Sequence, residues 1–429
     1  MSRPSTTERS SKSGRRGILR TAGLGLITGA ADDDPSAIGT YASAGAAIGL
    51  SFLWTAPVTF PMMVTVVYLS AKLGQITGRA LFDNLRTCYP RWLLYIILAG
   101  VLFGNTVEAG ADMGGMASAV GILLPLPTSW TVVAIGTVLL VLQVWAPYEL
   151  IRNIFRWLAM ALLAYIGSAI LAKPQLWPVI EGTFIPSIRF DREFLSRLVA
   201  VIGTTLSAYL YTWQSNEEVE EKIAAGRRRP SERQGAITTE LRQSKWDIVF
   251  GMMFSNIIMY FIILSTAVTL FTAGRRNVDS AAQVAEALRP LAGHAAGYLF
   301  AIGVIGVGFL AVPVMTTGAA YDLCQSIGWK NGLYRKPGEA KEFYTAVAAF
   351  TVIGIAINFC GINPIKALVW AGIVQGFSTP PLMLLIMIMT NRREIMGEQV
   401  NGMALNLLGW ITTAAIFAAT AGLVLSWIL

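Results

Sequence analysis

The sequence predicts an all-α polytopic membrane protein with about eleven transmembrane helices. Three observations carry that expectation. Hydrophobic residues make up 54% of the 429-residue chain and charged residues 14%, against roughly 25% charged in a soluble domain. Mean hydropathy is +0.57. Apolar stretches also follow one another almost without pause, and spans of roughly 20 residues each leave short loops and no room for a large soluble domain.

The first residues, MSRPSTTERSSKSGRRGILR, are polar and basic. They are too hydrophilic for the apolar core of a signal peptide, and residues 1–16 read as a disordered cytoplasmic tail. Residues 17–429 read as a single transmembrane domain. Spans are expected near 18–48, 51–74, 92–123, 129–147, 150–172, 196–216, 246–272, 295–320, 343–360, 365–390 and 404–428. The first and third are too long for simple spans and read as broken or extended. Spans one to five (about 17–173) and six to ten (about 194–396) make two sets of five, with an extra helix at about 403–429. An odd number per set forces opposite orientations, the arithmetic of an inverted-topology repeat.

Charge placement sets the register. The net charge is +8, and a surplus of this kind belongs to cytoplasmic loops rather than to a nucleic-acid partner. With the N-terminus cytoplasmic, Arg15, Arg16, Arg20, Lys72, Arg79, Arg86, Arg152, Arg156, Arg227, Arg228, Arg229, Lys330, Arg335, Lys336, Arg392 and Arg393 fall on the inner side. Two longer external loops are exceptions, one with Lys173, Arg189 and Arg192, the other with Arg275, Arg276 and Arg289. This register puts the C-terminus outside a cell (plasma or inner) membrane. The 226–245 segment is the most basic inner loop and reads as topology-fixing.

Several chemistries are disfavoured. Cys88, Cys324 and Cys360 have no CxxC spacing and cannot all pair, so neither a disulfide framework nor a structural zinc site is expected. The lone histidine, His294, sits at an external loop boundary and limits proton shuttling. No GxxxxGK[ST], HExxH or nucleophile elbow is present. The chain is not expected to be an enzyme, to need a cofactor, or to bind nucleic acid. Nothing in it implies an oligomer.

Polar residues at membrane depth point to function, because ionisable groups there are costly and face cavities or pathways. In the first span Asp32, Asp33 and Asp34 abut Pro35, between Gly29 and Gly39. Proline removes a backbone donor and disfavours helix just before it. A discontinuous helix with freed carbonyls and a carboxylate makes an oxygen-ligand cation site. In the third span Glu108 and Asp112 are four apart, on one helical face. They want a cation, a proton or a partner on another helix. In the sixth, Gly203, Thr204, Thr205, Ser207, Tyr209 and Gln214 interrupt an apolar run. As the counterpart of span one it should break, although no proline marks the place. Glu217, Glu218, Glu220 and Glu221 at its end read as a solvated acidic face or, alternatively, a vestibule attracting cations. In the tenth, Pro380 and Pro381 should kink or break the helix, and Gln375 adds an oxygen or an interhelical hydrogen bond. Asn256, Thr316 and Thr317 read as interhelical glue, and Met383, Met387 and Met389 as packing.

Together these residues resemble the Nramp family of divalent-metal transporters, from about Gly17 to Met396. The family's span-one motif Asp-Pro-Gly-Asn falls on Asp34-Pro35-Ser36-Ala37, and its following Ala-Gly-Ala on Ala44-Gly45-Ala46. Glu108, the stretch VAEALRPLAGHAAGYLFAIG and the tail NRREIMGE are similar as well. The resemblance implies a LeuT-like fold of two inverted five-helix repeats with helices 1 and 6 broken. It implies a metal site at Asp34, Ala37, Thr204 (through its carbonyl), Ser207 and Tyr209. Gln375, Glu108 and Asp112 stand as further candidates.

The departures carry information too. The family's Asn partner falls on Ala37, its Met-Pro-His motif on Ser207-Ala208-Tyr209, its third-span Asp on Asn105, and a lower span-six His on Gln214. The pattern is similar to a divergent, magnesium-transporter-like branch. A thioether favours softer transition metals. Mg²⁺ is usually held by one or two carboxylates and keeps several waters. The expectation is therefore alternating-access import of a partly hydrated divalent cation, chiefly Mg²⁺ and with Mn²⁺ also admitted, with weak or no proton coupling. Its partners are that cation and the lipid bilayer. The alternatives are a proton-coupled Mn²⁺/Fe²⁺ importer and an organic-solute transporter of the same fold.

Overall fold

A computed structural model describes residues 24–145 and 160–428. The expected tail 1–16 and the first half of the fifth span lie outside the described residues. No strand occurs among those described. Fifteen helices matter to the argument: α1 Leu24–Asp32, α2 Pro35–Ile48, α3 Thr55–Thr77, α4 Leu81–Cys88, α5 Arg91–Leu123, α6 Thr128–Trp145, α7 Ala164–Leu171, α8 Leu176–Phe184, α9 Arg192–Thr205, α10 Ala208–Ala224, α11 Thr238–Thr266, α12 Ala296–Ile327, α13 Lys341–Ile357, α14 Pro364–Asn391 and α15 Met403–Ile428.

Eight helical stretches among the described residues are long and apolar enough to cross a membrane, counting α9 and α10 together. The described residues therefore do not confirm the expected eleven, and three spans account for the difference. Span one is split into helices of 9 and 14 residues. Only the end of span five is described, as a 3-10 turn followed by α7. Span nine is a 17-residue helix.

Both expected breaks are present. Pro35 opens α2 at its first turn, and Asp34 caps it from an extended conformation (φ −63°, ψ 171°), accepting from the Ala37 amide. The α9–α10 break falls at Leu206 and Ser207, with no proline. Span three is extended rather than broken, since α5 runs unbroken for 33 residues.

In the tenth span the helix does not break. α14 continues through Pro380 and Pro381. Proline at 380 leaves the carbonyl of Gly376 without its helical donor. The Thr420 hydroxyl of α15 fills the place at 3.0 Å, so the helix is not forced to end. The basic loop is also shorter than 226–245, because α11 already begins at Thr238. The Lys222 ammonium ties this loop down by donating to the carbonyls of Gln75, Arg233 and Gly235. The linker after span five contains a further short helix, α8, whose Leu176, Trp177 and Phe184 are exposed.

α5 sits at the centre, packed against α12, α14 and α13, while α1 lies along α11 and α9 along α14. Small residues permit these approaches. A Cβ on Gly29 would stand 2.2 Å from the Gly251 carbonyl oxygen, and one on Gly203 would stand 2.0 Å from that of Gly372. Asn256 bridges to Thr59 (3.2 Å), and Thr316 and Thr317 reach Gln143 (2.7 and 3.2 Å). Met383, Met387 and Met389 are core residues. Trp92, Ile96 and Phe103 of α5 and Met403, Leu407 and Ile411 of α15 stay exposed, as a hydrocarbon solvent allows.

Candidate metal centre

Helices α1, α2, α5, α9, α10 and α14 meet at the α1–α2 break. Asp34, which ends the break, offers Oδ1 to the Ala37 amide and the Ser36 hydroxyl, both at 2.6 Å. Its Oδ2 lies 2.9 Å from the Tyr209 hydroxyl, which is equally close to the Ala31 carbonyl. From α5, Glu108 Oε1 lies 3.1 Å from the Ser36 hydroxyl and 3.2 Å from that of Ser207. Glu108 Oε2 accepts from the Gln375 amide of α14 at 2.6 Å, and that amide also reaches Asn105 at 3.1 Å. One turn along α5, Asp112 Oδ1 accepts from the Ser36 amide at 2.8 Å. The sequence candidates Asp34, Glu108, Asp112, Ser207, Tyr209 and Gln375 thus form one connected network.

Two candidates contribute differently. Ala37 brings only its amide and a methyl group. Thr204 presents its carbonyl to the Ser207 hydroxyl at 2.8 Å, while its own hydroxyl is buried without a partner. Gln214 stands apart: it accepts from Thr28 and donates to Glu218, joining α1 to the far end of α10.

The arrangement is short of hydrogen-bond donors. Asp34, Glu108 and Asp112 are fully buried. Among the described residues none of them takes part in an ion pair. The single proton of Ser36 Oγ faces two carboxylates. That of Ser207 Oγ faces Glu108 and the carbonyls of Gly203 and Thr204. Asp112 Oδ2 has no donor at all. Burying carboxylates without a compensating positive charge is costly, so the network is chemically fitted to accept a cation. No sulfur or imidazole takes part in its hydrogen bonds. Among the described residues no group of three His, Cys, Asp or Glu side chains converges to hold a metal alone. Any ion here would draw on hydroxyl, amide and carbonyl oxygens as well.

Geometry also separates the three adjacent aspartates. Asp32 and Asp33 both turn to the Ser255 hydroxyl of α11, leaving Asp34 alone in the network. The expected solvated acidic face is corrected. Glu217 and Glu218 are buried, and Glu218 accepts from Gln75 and Ser244 at 2.6 Å each and from Gln214 at 3.1 Å. Donors from three helices pull it inward, which no single-helix pattern reveals. Sequence reasoning missed Ser36, the one residue that touches all three carboxylates. It stands where the motif has glycine, and a serine beside a proline looks like ordinary turn chemistry. Asp322 was missed as well.

Residues 25–426 match the family described as natural resistance-associated macrophage protein-like, Nramp. The chain belongs to the Nramp family. The divalent metal cation transporter MntH of Deinococcus radiodurans is 26% identical over 415 residues, spanning 94% of this chain and 89% of that protein. Among solved structures, the Eremococcus coleocola manganese transporter superposes with a TM-score of 0.75 at 17% identity, covering 99% of this chain and 88% of that one. Mhp1, a nucleobase-cation-symport-1 family transporter in a closed conformation, gives 0.57 at 12% identity, with 95% and 92% covered. These likenesses show a LeuT-like fold, in which this Nramp chain places its carboxylate network at the first broken helix.

Proposed function

We propose that this Nramp chain is a secondary transporter that moves a divalent cation into the cytoplasm by alternating access, chiefly Mg²⁺ held as a partly hydrated ion. The buried, donor-poor carboxylate network is the observation that carries this reading. Asp34 supplies the first charge and Glu108 or Asp112 the second. Ser207, the Thr204 carbonyl, Tyr209 and Gln375 supply neutral oxygens. Ala37 leaves space for water that a larger side chain would take. An all-oxygen donor set with one or two carboxylates matches Mg²⁺, which gives up its waters reluctantly, and lacks the soft ligand that favours Mn²⁺ or Fe²⁺.

Residues 17–173 and 194–396 serve as the two inverted repeats, which rock against each other around the site, and 403–429 lies outside them. The N-terminus is cytoplasmic and the C-terminus external, as the basic loops favour. Proton coupling is weak or absent, since no histidine lines the network.

Ion uptake into proteoliposomes, comparing Mg²⁺ and Mn²⁺ while internal pH is followed, tests this. Mg²⁺ entry without acidification is expected. The manganese named for the Eremococcus relative favours the second reading. Mn²⁺ entry with acidification and no Mg²⁺ entry would establish it and remove the first.

A further inference from the structure

Away from the network lies a second buried carboxylate that the site does not use. Asp322 is near the end of α12 and fully buried. Neither of its oxygens has a well-formed hydrogen bond. Its one neighbouring donor among the described residues, the Thr212 hydroxyl of α10, is shared with the Tyr209 carbonyl at 3.2 Å. Tyr209 is the residue whose hydroxyl touches Asp34.

From there α10 presents Thr212, Asn216 and Glu220 at four-residue spacing, on one face. Each has a counterpart on α12. Thr212 lies beside Asp322. Asn216 accepts from Gln325 at 2.6 Å, and Gln325 Oε1 is itself buried and without a partner. Glu220 accepts from the Tyr321 hydroxyl at 2.5 Å. Asn216, Gln325, Glu220 and Tyr321 also line a cavity of about 230 Å³ that extends to exposed Trp329 and Lys330. A seam between α10 and α12 therefore runs from the Asp34 network to this cavity. Asp322 and the unpartnered Gln325 Oε1 lie three residues apart on α12.

We propose that Asp322 is the centre of a second cation site, with the Gln325 amide oxygen and the Thr212 hydroxyl as neutral ligands, through which the ion passes between Asp34 and the cavity. One carboxylate with neutral oxygens and retained water is a donor set for a hard divalent ion. A carboxylate this deeply placed, with one shared hydroxyl for a donor, is stabilised by such an ion or by taking up a proton. The proposal rests on reading Asp34 as the substrate site, but not on which divalent ion is carried.

The test is equilibrium binding of Mn²⁺, as a paramagnetic probe, to the purified full-length protein. Asp34→Ala is expected to lose one class of bound Mn²⁺ and to keep a second. Adding Asp322→Asn removes that remainder, while Asp322→Asn alone leaves the Asp34 class. Adding Gln325→Leu to Asp34→Ala weakens the remainder without touching a charge, and it decides the matter if the Asp322 double variant does not fold. Equal binding by Asp34→Ala with and without the second substitution would overturn the proposal, leaving Asp322 a neutral buried acid. If Asp34→Ala binds as wild type does, the reading of Asp34 fails instead, and the two failures stay distinct. In transport, Asp322→Asn is expected to lose turnover while Asp322→Glu restores it.

Discussion

The two broken helices reach the same outcome by different means. At the α1–α2 break the local sequence does the work. Pro35 withholds a donor and fixes the first turn of α2, and Asp34 caps it. At the α9–α10 break no residue forbids a helix. There the exposed carbonyl of Leu206 is taken up by the Tyr211 hydroxyl at 2.9 Å and the Thr379 hydroxyl at 3.1 Å, one local and one from α14. The first break is written into a tetrapeptide and charged, whereas the second is neutral and made by its neighbours. A cation held at their meeting point, as proposed, would take its first charge from the one and neutral oxygens from the other.

That division predicts the largest effect. Asp34→Ala removes both the cap and the charge and is expected to abolish cation uptake, with a cap loss of about 1 kcal/mol in stability. Asp34→Asn keeps a capping oxygen and removes only the charge. Uptake in proteoliposomes should be lost in both variants, while thermal unfolding in detergent should report a smaller loss for Asn. Uptake by Asp34→Asn at the wild-type rate would show that the charge of the first break is not what the ion needs.

A packing substitution should rank next. Gly203 of α9 sits just ahead of the neutral break, and a Cβ there would lie 2.4 Å from the Gly376 amide as well as against Gly372. Both obstacles are backbone of α14, which cannot swing aside. Gly203→Ala is expected to cost about 1–3 kcal/mol and to lower the unfolding temperature. An unchanged temperature would mean that α9 is free to move off α14.

How much of this was legible follows from the same contrast. The charged break was readable because proline and three carboxylates stand together in an apolar stretch. The paired carboxylates of α5 were readable because their spacing is local. The neutral break was reached only through the repeat arithmetic. Its partners Tyr211 and Thr379 carry no sequence signal, because their value lies in one carbonyl on another segment. Pro380 does not break α14 for the mirror-image reason: Thr420, forty residues on, supplies the Gly376 carbonyl with the donor that proline withholds. Asp322 escaped because the expected eighth span stopped at 320, where Tyr321, Asp322 and Gln325 dilute the apolar run, whereas α12 continues to Ile327.

Gln375 tests how far the charged side depends on α14. Its amide feeds Glu108 and Asn105. Gln375→Leu leaves Glu108 Oε2 without its donor, at a cost of about 1–3 kcal/mol in the ion-free protein. A bound cation offsets part of that, so added Mg²⁺ should raise the unfolding temperature of the variant more than that of wild type. An equal shift in both proteins would separate Gln375 from the ion.

The smallest effect is the most direct test of the neutral break. Tyr211→Phe removes one of two donors to Leu206 and leaves Thr379 in place, so the loss should be about 0.5–1.5 kcal/mol, the net worth of one hydrogen bond. Thr379→Val alone should cost a similar amount. The double variant leaves a buried carbonyl with no donor, and its cost should exceed the sum of the two, because either hydroxyl suffices to satisfy the group. A double-mutant cycle on chemical unfolding in detergent measures the excess. Strict additivity would mean that Leu206 finds another donor, such as water entering along the ion's path, and that the break is held by solvent rather than by side chains.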